Sequence, residues 1–217
     1  MEFTRKELFD LLNRPGPLWL VRADLEGADL EGANLQEANL TSANLKGARL
    51  MFANLSSANL QGTDLTYADI SGANMKEANL KDANLAFANM KGADLRGAKL
   101  MDANMLYADL VVAHMEGANL MFANLSGANL KGADLTRGYL SVANLAGANL
   151  KDANLRYANL KGADLRSAKL EDANLLYADL VVASLEGAVL GSATMPDGKT
   201  YDPAIHTIGK LTASKRA

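Results

Sequence analysis

The sequence predicts an all-β solenoid: short extended segments separated by corners, wound into coils that stack along one axis. Three observations predict it. First, from Ala23 to Met195 an alanine and, two places later, a leucine recur every five residues with no insertion; only Thr63 and Gly138 break the alanine register, and Ile70, Met75, Met90, Met105, Met115 and Met195 vary the leucine. Second, five suits neither regular structure. Five helical residues advance ~500°, which would scatter the leucines around the axis. A continuous strand alternates with period two, so an odd repeat would send successive leucines to opposite faces. Third, Asn or Asp usually stands between the alanine and the leucine, and glycine often fills the second of the two remaining places. An extended triplet with both apolar residues pointing inward, followed by a two-residue corner, satisfies all three. Right-angled corners close a coil after four units, or about 20 residues, and stacked coils then pair at ~4.8 Å.

In residues 1–17, Thr4 and Glu7 form a capping box, Leu8, Leu11 and Leu12 make an apolar stripe, and Pro15 stops the helix, so a cap helix is expected over residues 4–13. Such a cap covers an otherwise open β edge. Residues 18–195 form the coils, beginning with Leu18 and Leu20. Each buried leucine contributes about 1.5–3 kcal/mol, and alanine fits because a narrow prism has no room for four more large side chains per layer. Glycine in the second corner place suits a type II turn, which needs positive φ there; where Tyr67, Phe87 or Tyr107 takes that place, a different turn is expected. Residues 196–217 close the rod with the turn-rich "MPDGKTYDP", and a mobile tail is expected from residue 204.

The run "ADLEGADLEGANLQEANLTSANL" and the units after it resemble the pentapeptide-repeat family, A(D/N)Lxx, over about four-fifths of the chain. The resemblance implies a right-handed quadrilateral parallel β-helix; handedness and square section come from the family, and the spacing alone requires only corners. It also implies two functions found in the family, inhibition of DNA gyrase by mimicry of B-DNA and regulation of cyanobacterial type. A duplex mimic needs a strong acidic column, since DNA carries one charge per ~1.7 Å. This chain mixes both signs and lacks the loops that interrupt many such proteins, so the expected function is a rigid, non-enzymatic scaffold that binds another protein.

Composition narrows the chemistry. The 217 residues carry net charge −3 and no cysteine, which excludes disulfides, thiolate metal sites and cysteine nucleophiles. Two distant histidines, His114 and His206, offer little for a zinc site or a catalytic triad. There is no signal-peptide plan and no apolar run of the roughly 18 residues that a span needs, so a cytoplasmic location off the membrane is expected. The repeated Asn and Asp residues read as backbone-bonding side chains, because catalysis needs unlike groups converging in a pocket. Lysines 76, 81, 91, 99, 131, 151, 161 and 169 are interleaved with acids, which reads as a solubilising surface without direct nucleic-acid binding. No cofactor or metal is implied. The expected state is a monomer, or an end-to-end or side-by-side homodimer.

A twenty-residue coil aligns Tyr67, Phe87 and Tyr107 as a ladder, with Leu106 beside it and Val111 and Val112 around the next corner. An exposed apolar patch on a polar prism marks a contact surface, although stacked aromatics also stabilise sheets. A longer repeat multiplies it. The segment from Ala78 recurs from Ala148, and "LMFANLS" from Leu50 recurs from Leu120, an offset of 70 residues or fourteen units. Fourteen units are three and a half coils, so the copies Tyr157, Leu176, Tyr177, Val181 and Val182 are expected on the opposite side of the rod.

Overall fold

The computed structural model describes residues 16–206 together with Glu7, Asp10, Leu11 and Thr212. From residue 19 to residue 194, each bridge between coils joins a residue to the one twenty places later, in parallel, from Trp19 with Asn39 to Asn174 with Thr194. Four bridging positions and four two-residue turns make up each coil, so the prism has four sides. The inward alanines and leucines form one continuous core, with nearly every member fully buried. Thr63 is buried among them, and its hydroxyl donates to the Leu40 carbonyl at 2.9 Å, so its polarity is satisfied. Gly138 fits where an alanine would be tight: a β-carbon there would lie 3.0 Å from the Leu135 carbonyl oxygen and 3.1 Å from Leu140 Cδ1.

The consensus can be explained by following its five backbone N–H groups through one unit. Met105 stands in the leucine place, and its N–H donates to the Asn124 carbonyl one coil on, at 2.7 Å. At the corner, Tyr107 N–H donates to the Ser126 carbonyl at 3.1 Å, and Ala108 N–H closes the turn on the Met105 carbonyl at 3.0 Å. Asp109 N–H reaches back to the Ala88 carbonyl at 2.9 Å. That leaves the first corner residue, Leu106, whose N–H points to Asn104 Oδ1 at 3.3 Å. In nearly every unit that has one, the Asn or Asp thus takes the one donor that the stack leaves over. Asparagine does more, because its amide also donates along the column: Asn104 Nδ2 to Asn84 Oδ1 at 3.0 Å, and Asn124 Nδ2 to Asn104 Oδ1 at 3.1 Å.

The expectation of a different turn at the aromatic corners is wrong. Tyr67, Phe87 and Tyr107 have φ of 60°, 60° and 53°, beside 62–69° for glycines at the same place in the turns. The reason lies in the stack. The second corner residue must aim its N–H at the next coil, as Phe87 does to the Leu106 carbonyl at 2.9 Å, while the following alanine closes the turn. The aromatic corners therefore take the same type II sign pattern as the glycine corners.

Most of the expected cap helix lies outside the described residues. Glu7, Asp10 and Leu11 are helical, and Leu11 packs against the core. At the other end, Thr194 and Thr200 form an antiparallel bridge. The tail does not turn loose at residue 204. His206 is buried, stacks on Tyr201 with centroids 6.0 Å apart, and accepts the Asp202 N–H on Nδ1 at 3.0 Å, with Nε2 at 3.3 Å from Asp197. The rest of the tail lies outside the described residues, apart from Thr212, whose carbonyl accepts the Val182 N–H at 2.8 Å.

Candidate interaction surface

Tyr67, Phe87 and Tyr107 occupy the same corner of three successive coils, and their rings stack. Centroids are 5.1 and 5.7 Å apart, with interplanar angles of 11° and 24°. The ladder ends on Gly127, where a β-carbon would overlap the Tyr107 ring. All three rings stay exposed, Tyr107 at 59%. Leu106 and Val111 are half-buried, and Val112, on the next corner, is exposed. The middle of the side between these corners carries Asp69, Asn89 and Asp109. This is the front side.

The copies fall on the rear side. Tyr177 lies 70 residues after Tyr107, half a coil beyond three full coils of the twenty-residue register, and so at the diagonal corner. Tyr157 and Tyr177 stack there at 5.1 Å, with Leu176 half-buried beside Tyr177, and Val181 and Val182 at the far corner of the same side. The duplication carries electrostatics as well as shape. Arg96 binds Asp94 at 2.6 Å and Arg166 binds Asp164 at 2.5 Å; Lys91 faces Asp109 at 3.1 Å and Lys161 faces Asp179 at 4.0 Å. Hydrogen bonds from the Arg96 guanidinium, joined by its backbone N–H and by Lys76, outweigh desolvation and hold the Asp94 pKa at about 2.

Sequence reasoning overlooked part of each side. Phe52, at a corner of the front side, lies over Gly72, where a β-carbon would be 2.6 Å from its ring. Phe122, Tyr139 and Val142 are exposed on the rear side. The twenty-residue alignment would have found all four. Arg137 and Arg156 also went unnoticed, because a search for apolar columns passes over cations; their Cζ atoms lie 5.9 and 5.7 Å from the Tyr157 centroid. Between residues 52 and 182, all the exposed large hydrophobics belong to these two opposite sides, the front in the first half of the rod and the rear in the second.

Elsewhere among the described residues, chemical groups do not gather in the same way. No cluster of His, Asp or Glu among them could hold a metal ion. His114 is exposed in the middle of a side. A shallow groove of about 440 Å³ runs past Gly147, Arg166, Ser167 and Glu186, with Arg166 already held by Asp164. Among the described residues, no helix is long and apolar enough to cross a membrane.

A family model described as pentapeptide repeats matches in eight copies, over residues 20–56, 47–82, 78–111, 113–137, 139–172 and 163–196. The chain belongs to the pentapeptide-repeat family. Among solved structures, this pentapeptide-repeat protein is similar to HetL, involved in heterocyst differentiation regulation in the cyanobacterium Nostoc sp. strain PCC 7120, at 33% identity over 92% of this chain and 100% of that one, with a TM-score of 0.40. It is also similar to trypsin-treated QnrB1, a plasmid-mediated fluoroquinolone resistance protein, at 20% identity over 82% and 88% of the two chains, with a TM-score of 0.60. A pentapeptide repeat protein of the Arabidopsis thaliana thylakoid lumen aligns at 24% identity over 72% and 83%, with a TM-score of 0.23. No curated protein matches the chain significantly.

Proposed function

We propose that this pentapeptide-repeat protein is a rigid, non-enzymatic scaffold of the cytoplasm, wound right-handed as its family resemblance implies. In this reading its front and rear sides each dock a protein. One observation carries it: the 70-residue duplication sets two related exposed aromatic patches on opposite sides, and the two intervening sides display mostly Asn and Asp instead. A filled prism supplies recognition surfaces rather than a reaction chamber, which favours binding over catalysis. Two outward-facing sites on one rod would hold two partner molecules at a set distance and so raise their local concentration.

The test is a pull-down from the native host with the front ladder intact and with Tyr67, Phe87 and Tyr107 changed to serine, followed by calorimetry with the recovered partner. Two molecules per rod are expected, falling to one with either Tyr107→Ser or Tyr177→Ser. A single site untouched by Tyr177→Ser would reduce the rear copy to a passenger of a duplication that merely lengthened the rod. The gyrase reading finds less support, because residues 18–195 hold twenty acids and fifteen bases, and the acids are spread over all sides.

A further inference from the structure

The two sides are alike enough that their differences can be read residue by residue. Shifting by 70 residues turns Phe87, Leu106 and Tyr107 into Tyr157, Leu176 and Tyr177, a near-identity. The same shift turns Tyr67 into Arg137, Ala86 into Arg156 and Asp69 into Tyr139. Within the copied block that begins at Leu50, the rear side has therefore lost a carboxylate and gained two guanidinium groups and a tyrosine, on an unchanged backbone.

Those guanidinium groups are not committed elsewhere. Arg49, Arg96 and Arg166 each lie within 2.8 Å of a carboxylate oxygen. Arg137 has only a 3.7 Å approach to Glu116, between side chains 70% and 48% exposed, a pair worth little in water. Arg156 makes no ion pair among the described residues, and its Nε is buried without a hydrogen-bond acceptor. Both rest on the Tyr157 ring, which in turn stacks on Tyr177. Cation–π contact holds a guanidinium in place without using its N–H donors, so less freedom is lost when a carboxylate arrives.

We infer that the rear side is the docking surface for an acidic segment of a partner protein, with Arg137 and Arg156 receiving its carboxylates across the Tyr157–Tyr177 stack. The inference rests on the scaffold reading and names the chemistry by which one of the two docked molecules is held. A guanidinium offers a planar fork that binds a carboxylate through two parallel hydrogen bonds. The extent of the array favours a short acidic segment over a nucleic acid. Its cations span the coils of Arg137, Arg156 and Lys161, with Glu116 before them and Asp179 after them on the same side. A phosphate backbone carries its charge onward past both acids and meets repulsion at each end, whereas a few glutamates fit between them.

The test is fluorescence anisotropy of a labelled peptide in which four glutamates are flanked by neutral residues, at low and moderate salt, with a longer single-stranded oligonucleotide as competitor. A protein of net charge −3 has no general attraction for such a peptide, so binding reports a local site. Wild type is expected to bind, and the Arg137→Ala/Arg156→Ala pair to bind at least tenfold more weakly. The lysine pair should fall between, since an ammonium lacks the fork, and Tyr67→Ser/Phe87→Ser on the front side should bind like wild type. Unchanged circular dichroism certifies the fold of each variant. No binding by wild type, equal binding by the alanine pair, or tighter binding of the oligonucleotide would each overturn the inference. The scaffold reading fails separately, on the stoichiometry of the native partner.

Discussion

Replacing Gly127 by alanine sets a methyl group against the Tyr107 ring, whereas the same change at Gly147, one coil on at the same corner, meets nothing within 4 Å. The two glycines share their backbone conformation, with φ of 64° and 66°. Both substitutions therefore carry the same left-handed penalty, about 1–2 kcal/mol. Only at Gly127 must the ring swing aside and give up its stack on Phe87, and an aromatic pair of this kind contributes about 0.5–1.5 kcal/mol beyond its area. Gly147→Ala should thus cost about 1–2 kcal/mol and Gly127→Ala about 1.5–3.5 kcal/mol, a difference of about 0.5–1.5 kcal/mol. Urea titration reads both as midpoints, with the slope unchanged because the surface exposed on unfolding is the same. Repeating the pair in a Tyr107→Ala background should erase the difference. Equal losses at the two glycines in the wild-type background would refute the claim that the ladder is seated on Gly127.

Ala103→Leu has no void to fill and should destabilise by about 1–3 kcal/mol, while Asn104→Ala, which removes hydrogen bonds at a half-exposed site, should cost about 1 kcal/mol; a titration that ranked them the other way would contradict the inward and outward assignment. Asp94 should titrate near 2, below its ordinary 3.8, so its contribution to stability is complete above pH 3.8 and disappears as pH falls through 2. Arg96→Ala should return the midpoint toward 3.8, read by carboxyl NMR, and a wild-type midpoint already near 3.8 would show that the Arg96 contact does not persist in solution. No inhibition of gyrase supercoiling is expected at stoichiometric concentration, because the small excess of acids cannot sustain a duplex-like potential; strong, salt-sensitive inhibition would restore the mimicry reading.

How much the sequence disclosed depended on whether one residue decided each feature. Inward and outward places were legible because burial keeps the five-residue period from Ala23 to Met195. The ladder was legible for the same reason: once four units make a coil, alignment is arithmetic. Corner conformation was not, because the residue at Tyr67 does not choose its own φ; the hydrogen bond to Ala86 in the next coil imposes it. The Asn and Asp places were read correctly as structural, yet their share of the donor accounting required knowing which N–H the stack leaves over. Arg137 and Arg156 were missed because a surface cation is ordinary until its surroundings can be seen.

The register of twenty has a consequence for how such a rod can evolve. A five-residue unit added anywhere turns everything beyond it by a quarter revolution and leaves the backbone hydrogen bonding intact. The angle between two surface motifs is then a counted quantity rather than a shaped one. Fourteen units between copies set them back to back; sixteen would bring them into line on one side, and thirteen or fifteen would set them at right angles. A single in-frame duplication between the two patches thus acts as the click of a dial, re-aiming one partner relative to the other and changing side-chain contacts only across the junction.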